Sequence, residues 1–162
     1  MARPDPRTAL LLEILDQAFD RKAWHGPTLR GAVRGLLADD ALWRPAPRRH
    51  CVWDVVLHAA YWKYATRRLL TGARRGGFPR PGSNWPRLPA PASERAWEAD
   101  VALLADEHRL LRETVAALAP SRLDRRPAGS IWTAREIIHG VAAHDTYHAG
   151  QIQLLKRMRE AT

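Results

Sequence analysis

The stretch His144-Asp145-Thr146-Tyr147-His148-Ala149-Gly150-Gln151-Ile152 sits inside a run from Trp132 to Arg159 that reads as one helix. Thr133 supplies a capping hydroxyl, and Glu136 three residues later completes a capping box. Ile137, Val141, Ile152 and Leu155 recur at helical spacing, and His144 and His148 lie on the same stripe. Residues four apart on a helix stand side by side, one turn up. Two imidazoles so placed can grip one metal ion from a single rigid element. The plainer reading is two half-buried histidines on a bundle helix. A further histidine on another helix is what favours a metal site.

Working outward, the same periodicity yields three more long helices. Asp5 caps the first, Pro6 suits its first turn, and Leu11, Ile14, Leu15, Ala18 and Phe19 form its stripe, with an end near Ala23. Trp24-His25-Gly26-Pro27 breaks it, and Thr28 caps a shorter segment with Leu29, Val33, Leu36 and Leu37 on one side. Arg44 to His50, with Pro45 and Pro47, reads as a loop. The second long helix runs from Val52 to near Leu70, with Cys51 at the cap and Asp54 at the third helical position, an imperfect capping box. Its inward stripe reads Val55, His58, Ala59, Trp62, Thr66 and Leu69, and Gly72 ends it. Ser93 caps the third helix. Trp97, Val101, Leu104, His108, Leu111, Val115 and Leu118 alternate steps of four and three along it until Pro120.

No strand pattern, internal repeat or domain boundary interrupts residues 1–162, so the expectation is one all-α domain built as a four-helix bundle. Residues 76–91 hold five prolines and three glycines and cannot be a regular element. The favoured reading is a surface connection spanning the bundle, a long crossover loop that lets helices two and three run parallel. The alternative folds it over a pocket mouth, with Phe78 and Trp85 as contacts.

Composition narrows the function classes. A chain of 162 residues fits one domain with a sizeable core. No run of about 18 apolar residues appears, so no membrane span is expected. Met1-Ala2-Arg3-Pro4 leads into a charged amphipathic segment rather than a signal peptide, and the single cysteine, Cys51, excludes an internal disulfide framework. A cytoplasmic location is the expectation. The net charge is +9, but the arginines are scattered, and the longest clusters, such as Arg67-Arg68, Arg74-Arg75 and Arg125-Arg126, are only pairs. No nucleic-acid-binding motif accompanies the charge, so nucleic-acid binding is the least favoured reading.

Three of the four inward stripes carry histidine: His58, His108, and the pair His144 and His148. Metal sites in bundle cores are built from facing helices, and a lone buried imidazole needs hydrogen-bond partners. His58 is the better third ligand, with Asp54 one turn earlier to orient its second nitrogen. His108 is the runner-up; its plainer reading is a core histidine hydrogen-bonded across the bundle. His139 lies about 140° around the helix from His144 and points elsewhere. His25 and His50 fall in loops. Cys51 is a soft ligand on paper and a small buried cap residue on balance. Asp145 stands where zincin proteases place a glutamate, but it is one methylene shorter, which disfavours protease chemistry. Tyr147 and Gln151 are each placed to hydrogen-bond at the site's edge.

Two stretches taken together, Trp53-Asp54-Val55-Val56-Leu57-His58-Ala59-Ala60-Tyr61-Trp62 and His144 to Ile152, resemble the DinB-like superfamily. Trp24-His25-Gly26-Pro27 resembles a stretch found in a subgroup of it. The resemblance implies an up-down-down-up four-helix bundle, often a homodimer. It implies a divalent metal ion, zinc, nickel or iron, held by His58, His144 and His148. Characterised relatives include thiol-dependent transferases and isomerases that use bacillithiol or mycothiol; others are described only as damage-inducible. Cys51 and Asp54 depart from the usual Ser and Glu at the start of helix two.

The leading functional expectation is a metal-dependent enzyme that activates water or a thiol, of thiol S-transferase or hydrolase type. Its small-molecule substrate, a low-molecular-weight thiol among the candidates, enters near the 76–91 loop, and arginines hold it if it is anionic. The alternative is a non-catalytic metal- or ligand-binding stress-response bundle.

Overall fold

A computed structural model describes residues 5–74 and 76–161; Met1 to Pro4 and Arg75 of the Arg74-Arg75 pair lie outside them. The described residues are all-helical, with no strand. In order come α1 (Pro6–Phe19), α2 (Leu29–Val33), α3 (Ala38–Leu42), α4 (Val52–Thr71), α5 (Glu94–Ala117), a 3₁₀ turn at Pro120–Arg122 and α6 (Ala134–Glu160).

Caps explain most of the boundaries. The Asp5 carboxylate accepts the Arg7 and Thr8 N–H groups at 2.9 and 3.4 Å at the start of α1. That helix stops at Phe19, short of Ala23, because the apolar stripe ends there: Trp24 is fully exposed and Gly26 turns the chain at φ 103°. The single segment expected after Thr28 is two helices, split where Gly35 takes a left-handed φ of 76°; Leu37 is consequently exposed rather than inward. At α4, Asp54 Oδ2 accepts the Cys51 N–H at 2.9 Å, and Gly72 closes the far end in the left-handed region. The Thr133–Glu136 capping box opens α6, the Glu136 carboxylate accepting the Thr133 N–H at 2.7 Å.

α4 packs against α5 and α6, and α1 packs against the same two. Along α4 and α5 the paired residues ascend together: Trp53 donates to Asp100 at 2.8 Å, and Lys63 lies 3.4 Å from His108. Along α4 and α6 they run oppositely, His58 meeting His148 while Leu70 shares a core with Ile138. α1 opposes α5, with Arg7 on Asp124 beyond its end and Asp16 on Arg112.

Two apolar clusters make the core. One gathers Trp53, Val56, Leu57, Trp97, Leu104 and Ile152; the other gathers Leu15, Leu70, Leu111, Val115, Leu123 and Ile138. Between them lies a polar layer: Lys63 on α4, Glu107 and His108 on α5, and Asp145 and His148 on α6, all buried. Two stripe assignments shift by one residue. Ile138 is buried in place of Ile137, and Trp62 stands at the rim, 41% exposed, while its neighbour Lys63 is fully buried. No described helix is long and apolar enough to cross a membrane.

Candidate metal centre

α4 presents His58 two turns from its start, and α6 presents His144 and His148 on adjacent turns. Their Nε2 atoms converge: His144 Nε2 is 3.0 Å from that of His58 and 2.9 Å from that of His148. One nitrogen from each ring lies within 4.8 Å of the others. His58 and His148 are buried and His144 is half-buried.

The outer nitrogens decide what the inner ones are. His58 Nδ1 lies 2.6 Å from the Asn84 carbonyl oxygen, which only accepts, so this nitrogen carries the proton. His148 Nδ1 faces Gln151 Oε1 at 2.6 Å, and the Gln151 amide is fixed by donating to the Tyr147 hydroxyl at 2.9 Å. A neutral imidazole has one N–H, so the Nε2 atoms of His58 and His148 are bare lone pairs. Both point at His144 Nε2, which has at most one proton to offer, while the buried His144 Nδ1 has no hydrogen-bond partner. Converging lone pairs at this spacing are poorly satisfied by one another and well suited to a shared cation. Two nitrogens on one zinc-sized ion, each ~2.0–2.1 Å away, stand ~3.3 Å apart, close to what is found here.

Electrostatics keep the rings in the ligating form. Burial pulls His144 down to about 3, helped by His148, His58 and Lys63, and pulls His148 down to about 4 against the Gln151 hydrogen bond. His58 is also lowered, chiefly by burial, against the Asn84 hydrogen bond. All three are therefore neutral near pH 7.

The 76–91 segment is part of this site, not a plain surface connection. Trp85 is sandwiched between His50, at 3.6 Å between ring centroids, and His58, at 3.9 Å. Asn84 takes a left-handed φ of 62°, which asparagine tolerates; its carbonyl serves His58 while its side-chain oxygen accepts the Trp62 indole N–H at 2.9 Å. Phe78 packs instead against Tyr61 and Tyr64. Asn84 carried no signal in the sequence, because its backbone oxygen acts and any residue has one.

Residues 23–152 match the DinB superfamily. The chain belongs to the DinB superfamily. The match begins after α1 and includes all three clustered histidines. No curated protein and no solved structure matches the chain.

Other expected contributors to this DinB-superfamily site fall elsewhere. Asp54 does not orient His58; it accepts from Cys51 and pairs with Arg44 at 2.5 Å, because the helix start and the preceding loop claim its carboxylate. Cys51 is buried in the apolar core with its thiol pushed up to about 11, mainly by desolvation, and stands apart from the three clustered histidines. His108 stacks on Phe19 at 3.8 Å beside Lys63, as a core histidine. Asp145 is fully buried in an ion pair with Lys63, so it faces no cleft. His139 is exposed and outside the histidine cluster, although it lines a cleft that His144 also lines, and His50 reaches the site only through Trp85. Lys63 did have a sequence signal: it is one of only three lysines in a chain that otherwise uses arginine.

Two clefts meet at His144. One, of about 470 Å³, is lined by His58, His144 and His148 with Trp85, Tyr147 and Met158. The other, of about 620 Å³, opens on the opposite side between Trp62 and Trp132. Among the described residues, no arginine or lysine lines either cleft, so the expected arginine clamp is not seen there.

Proposed function

We propose that His58, His144 and His148 hold one divalent metal ion, zinc, nickel or iron, at the centre of a metal-dependent enzyme of transferase or hydrolase type. The observation that carries this reading is the convergence of three neutral imidazoles whose outer nitrogens are already committed. Imidazole suits each of those metals, so the donor set selects among them only weakly. When bound, such an ion lowers the pKa of a coordinated water or thiol and so supplies a nucleophile at neutral pH.

The chain's own residues do the positioning. Asn84 and Gln151 hold the outer protons of His58 and His148 and keep their inner lone pairs aimed inward. Trp85 and Trp62 shield that side from water. Three protein ligands, with clefts of about 470 and 620 Å³ meeting at His144, leave room for small molecules, which favours an open, catalytic site over a closed, purely structural one. A low-molecular-weight thiol is the co-substrate we favour, in keeping with the family.

The same reading takes residues 1–162 as one domain, an up-down-down-up four-helix bundle of α1, α4, α5 and α6 with 76–91 as the crossover. The contact registers along α4, α5 and α6 support it. A homodimer and a cytoplasmic location complete the proposal.

Elemental analysis of purified and reconstituted protein tests the core claim. One divalent ion per chain is expected, and a cobalt-substituted sample is expected to show an exchangeable water. A chain that takes up no metal after reconstitution would return the three histidines to a core role.

A further inference from the structure

The second cleft at His144 has a composition unlike the rest of the surface. Among the described residues, the two clefts that share this histidine are lined by 23, none of them Arg or Lys, in a chain that carries 26 of the two. Other clefts do carry bases: one is lined by Lys156 and Arg159, another by Arg30 and Arg34. The contrast is local to the candidate centre. An anion placed there would lose its hydration without gaining an arginine or lysine counter-charge from the cleft walls, and in the larger cleft it would meet the Glu136 carboxylate.

The larger cleft has the form of a small-molecule site. Its 620 Å³ falls in the range of ligand pockets. Trp62, Ala65, Leu69, Trp132 and Val141 line it with apolar surface. The carboxylate of Glu136 at its edge is already held by Thr133 at 2.6 Å. The Trp62 indole is fixed by its bond to Asn84, and its ring lies 6.4 Å from that of His144, so the cleft wall and the histidine cluster share a side chain. Gly140 lines the cleft from inside α6, where glycine weakens a helix. A Cβ built there meets no atom within 4 Å, so no neighbouring element requires glycine. What its lack of a side chain provides is open volume beside His144.

We propose that the substrate of this centre is an uncharged small molecule with a flat apolar body. The body lies in the Trp62–Trp132 cleft, and one heteroatom group, a hydroxyl, thiol or carbonyl, faces His144. This rests on the metal-centre reading above and adds the substrate class to it. Flat rings suit indole walls, and the lack of arginine and lysine beside the Glu136 carboxylate selects against carboxylates and phosphates.

The test uses two probes of one shape, neutral 2-naphthalenemethanol and anionic 2-naphthoate. Each is titrated into the full chain, metal-free and metal-loaded. The alcohol is expected to bind one per chain, at least tenfold more tightly than the carboxylate. Gly140→Leu fills the cleft with a better helix former and is expected to weaken the alcohol at least tenfold while helicity and metal stoichiometry stay unchanged. Trp132→Ala, which only removes a wall, is expected to weaken it in the same direction. In cobalt-loaded protein the bound alcohol is expected to shift the visible absorption.

Equal binding of the two probes, or no effect of Gly140→Leu, would overturn the proposal. So would a wild-type dimer that Gly140→Leu dissociates, since the cleft would then be filled by a second copy. Metal uptake that fails while the alcohol still binds sinks the metal reading alone. Intact metal uptake without the cleft preference sinks this proposal alone.

Discussion

The His58–His144–His148 cluster and the Lys63–Asp145–His108 cluster are neighbours in the same interior, joined by the peptide bond between His144 and Asp145. Both are largely buried, both draw on α4 and α6, and both contain histidine. They are completed differently. In the second, the chain supplies its own cation: the Lys63 ammonium pairs with Asp145 and reaches His108 Nδ1 at 3.4 Å. In the first, three nitrogens converge with no cationic side chain among their hydrogen-bond partners. A histidine on an inward stripe is thus not itself a ligand signal. What separates the two cases is where the outer nitrogen is committed and whether the inner one already meets a cation.

The largest effect should come from taking away a converging nitrogen. His58→Ala and His148→Ala are each expected to abolish stoichiometric metal uptake, read by elemental analysis, with the helical circular-dichroism spectrum retained. His108→Ala should leave uptake intact. Uptake that survives both cluster variants would erase the distinction between the two sites.

Next comes the ion pair. Lys63→Met strands Asp145 in a fully buried position and should cost about 3–5 kcal/mol in urea unfolding. The double variant Lys63→Met/Asp145→Leu should recover most of that loss, because an apolar pair leaves no buried charge. If the double variant is as unstable as the single, the pair does more than satisfy itself.

Acid should weaken the metal-free protein through both clusters. Burial holds His144 at about 3, His148 at about 4 and His108 at about 2, all below the ordinary 6.5. The unfolded chain therefore binds protons that the folded chain refuses. Stability is full above about pH 6.5 and falls as pH drops toward 4, by at most about 1.4 kcal/mol per unit for each imidazole. Urea midpoints at pH 7 and pH 5 would show it, and equal midpoints would contradict the neutral-ring assignment.

Smaller changes probe the outer nitrogens. Asn84→Val disfavours the left-handed backbone that aims the carbonyl at His58, and should weaken metal affinity roughly 10–100-fold. Asn84→Gly keeps that backbone accessible and should weaken it far less. Gln151→Leu removes the acceptor from His148 and should cost about tenfold. Competition titration against a chelator measures all three. Equal affinities for the Val and Gly variants would remove Asn84 from the site.

Periodicity and caps made the long helices readable, since those signals are local: Asp5, Ser93 and Thr133 cap where their sequences place them. The spacing of four between His144 and His148 fixed their adjacency for the same reason. Choosing His58 over His108 was harder. Both sit on inward stripes; the choice rested on Asp54 one turn before His58, a reason the structure does not support, and on the DinB resemblance. Trp62 was placed inward where its neighbour Lys63 is the buried residue, because a stripe assigns a face to within a residue, while the buried neighbour is chosen by what lies opposite, here Asp145.

The sequence by itself determined the all-helical character, the long-helix boundaries to within a few residues, and which imidazoles were available. Tertiary structure alone decided the partners. Asp54 was read beside His58 because one turn separates them, yet its carboxylate goes to Cys51 and Arg44, and His58 takes its acceptor from Asn84, 26 residues away. Hydrogen-bond direction, ring tautomer and the emptiness over Gly140 depend on which elements meet across the interior. Local periodicity carries no information about those long-range meetings.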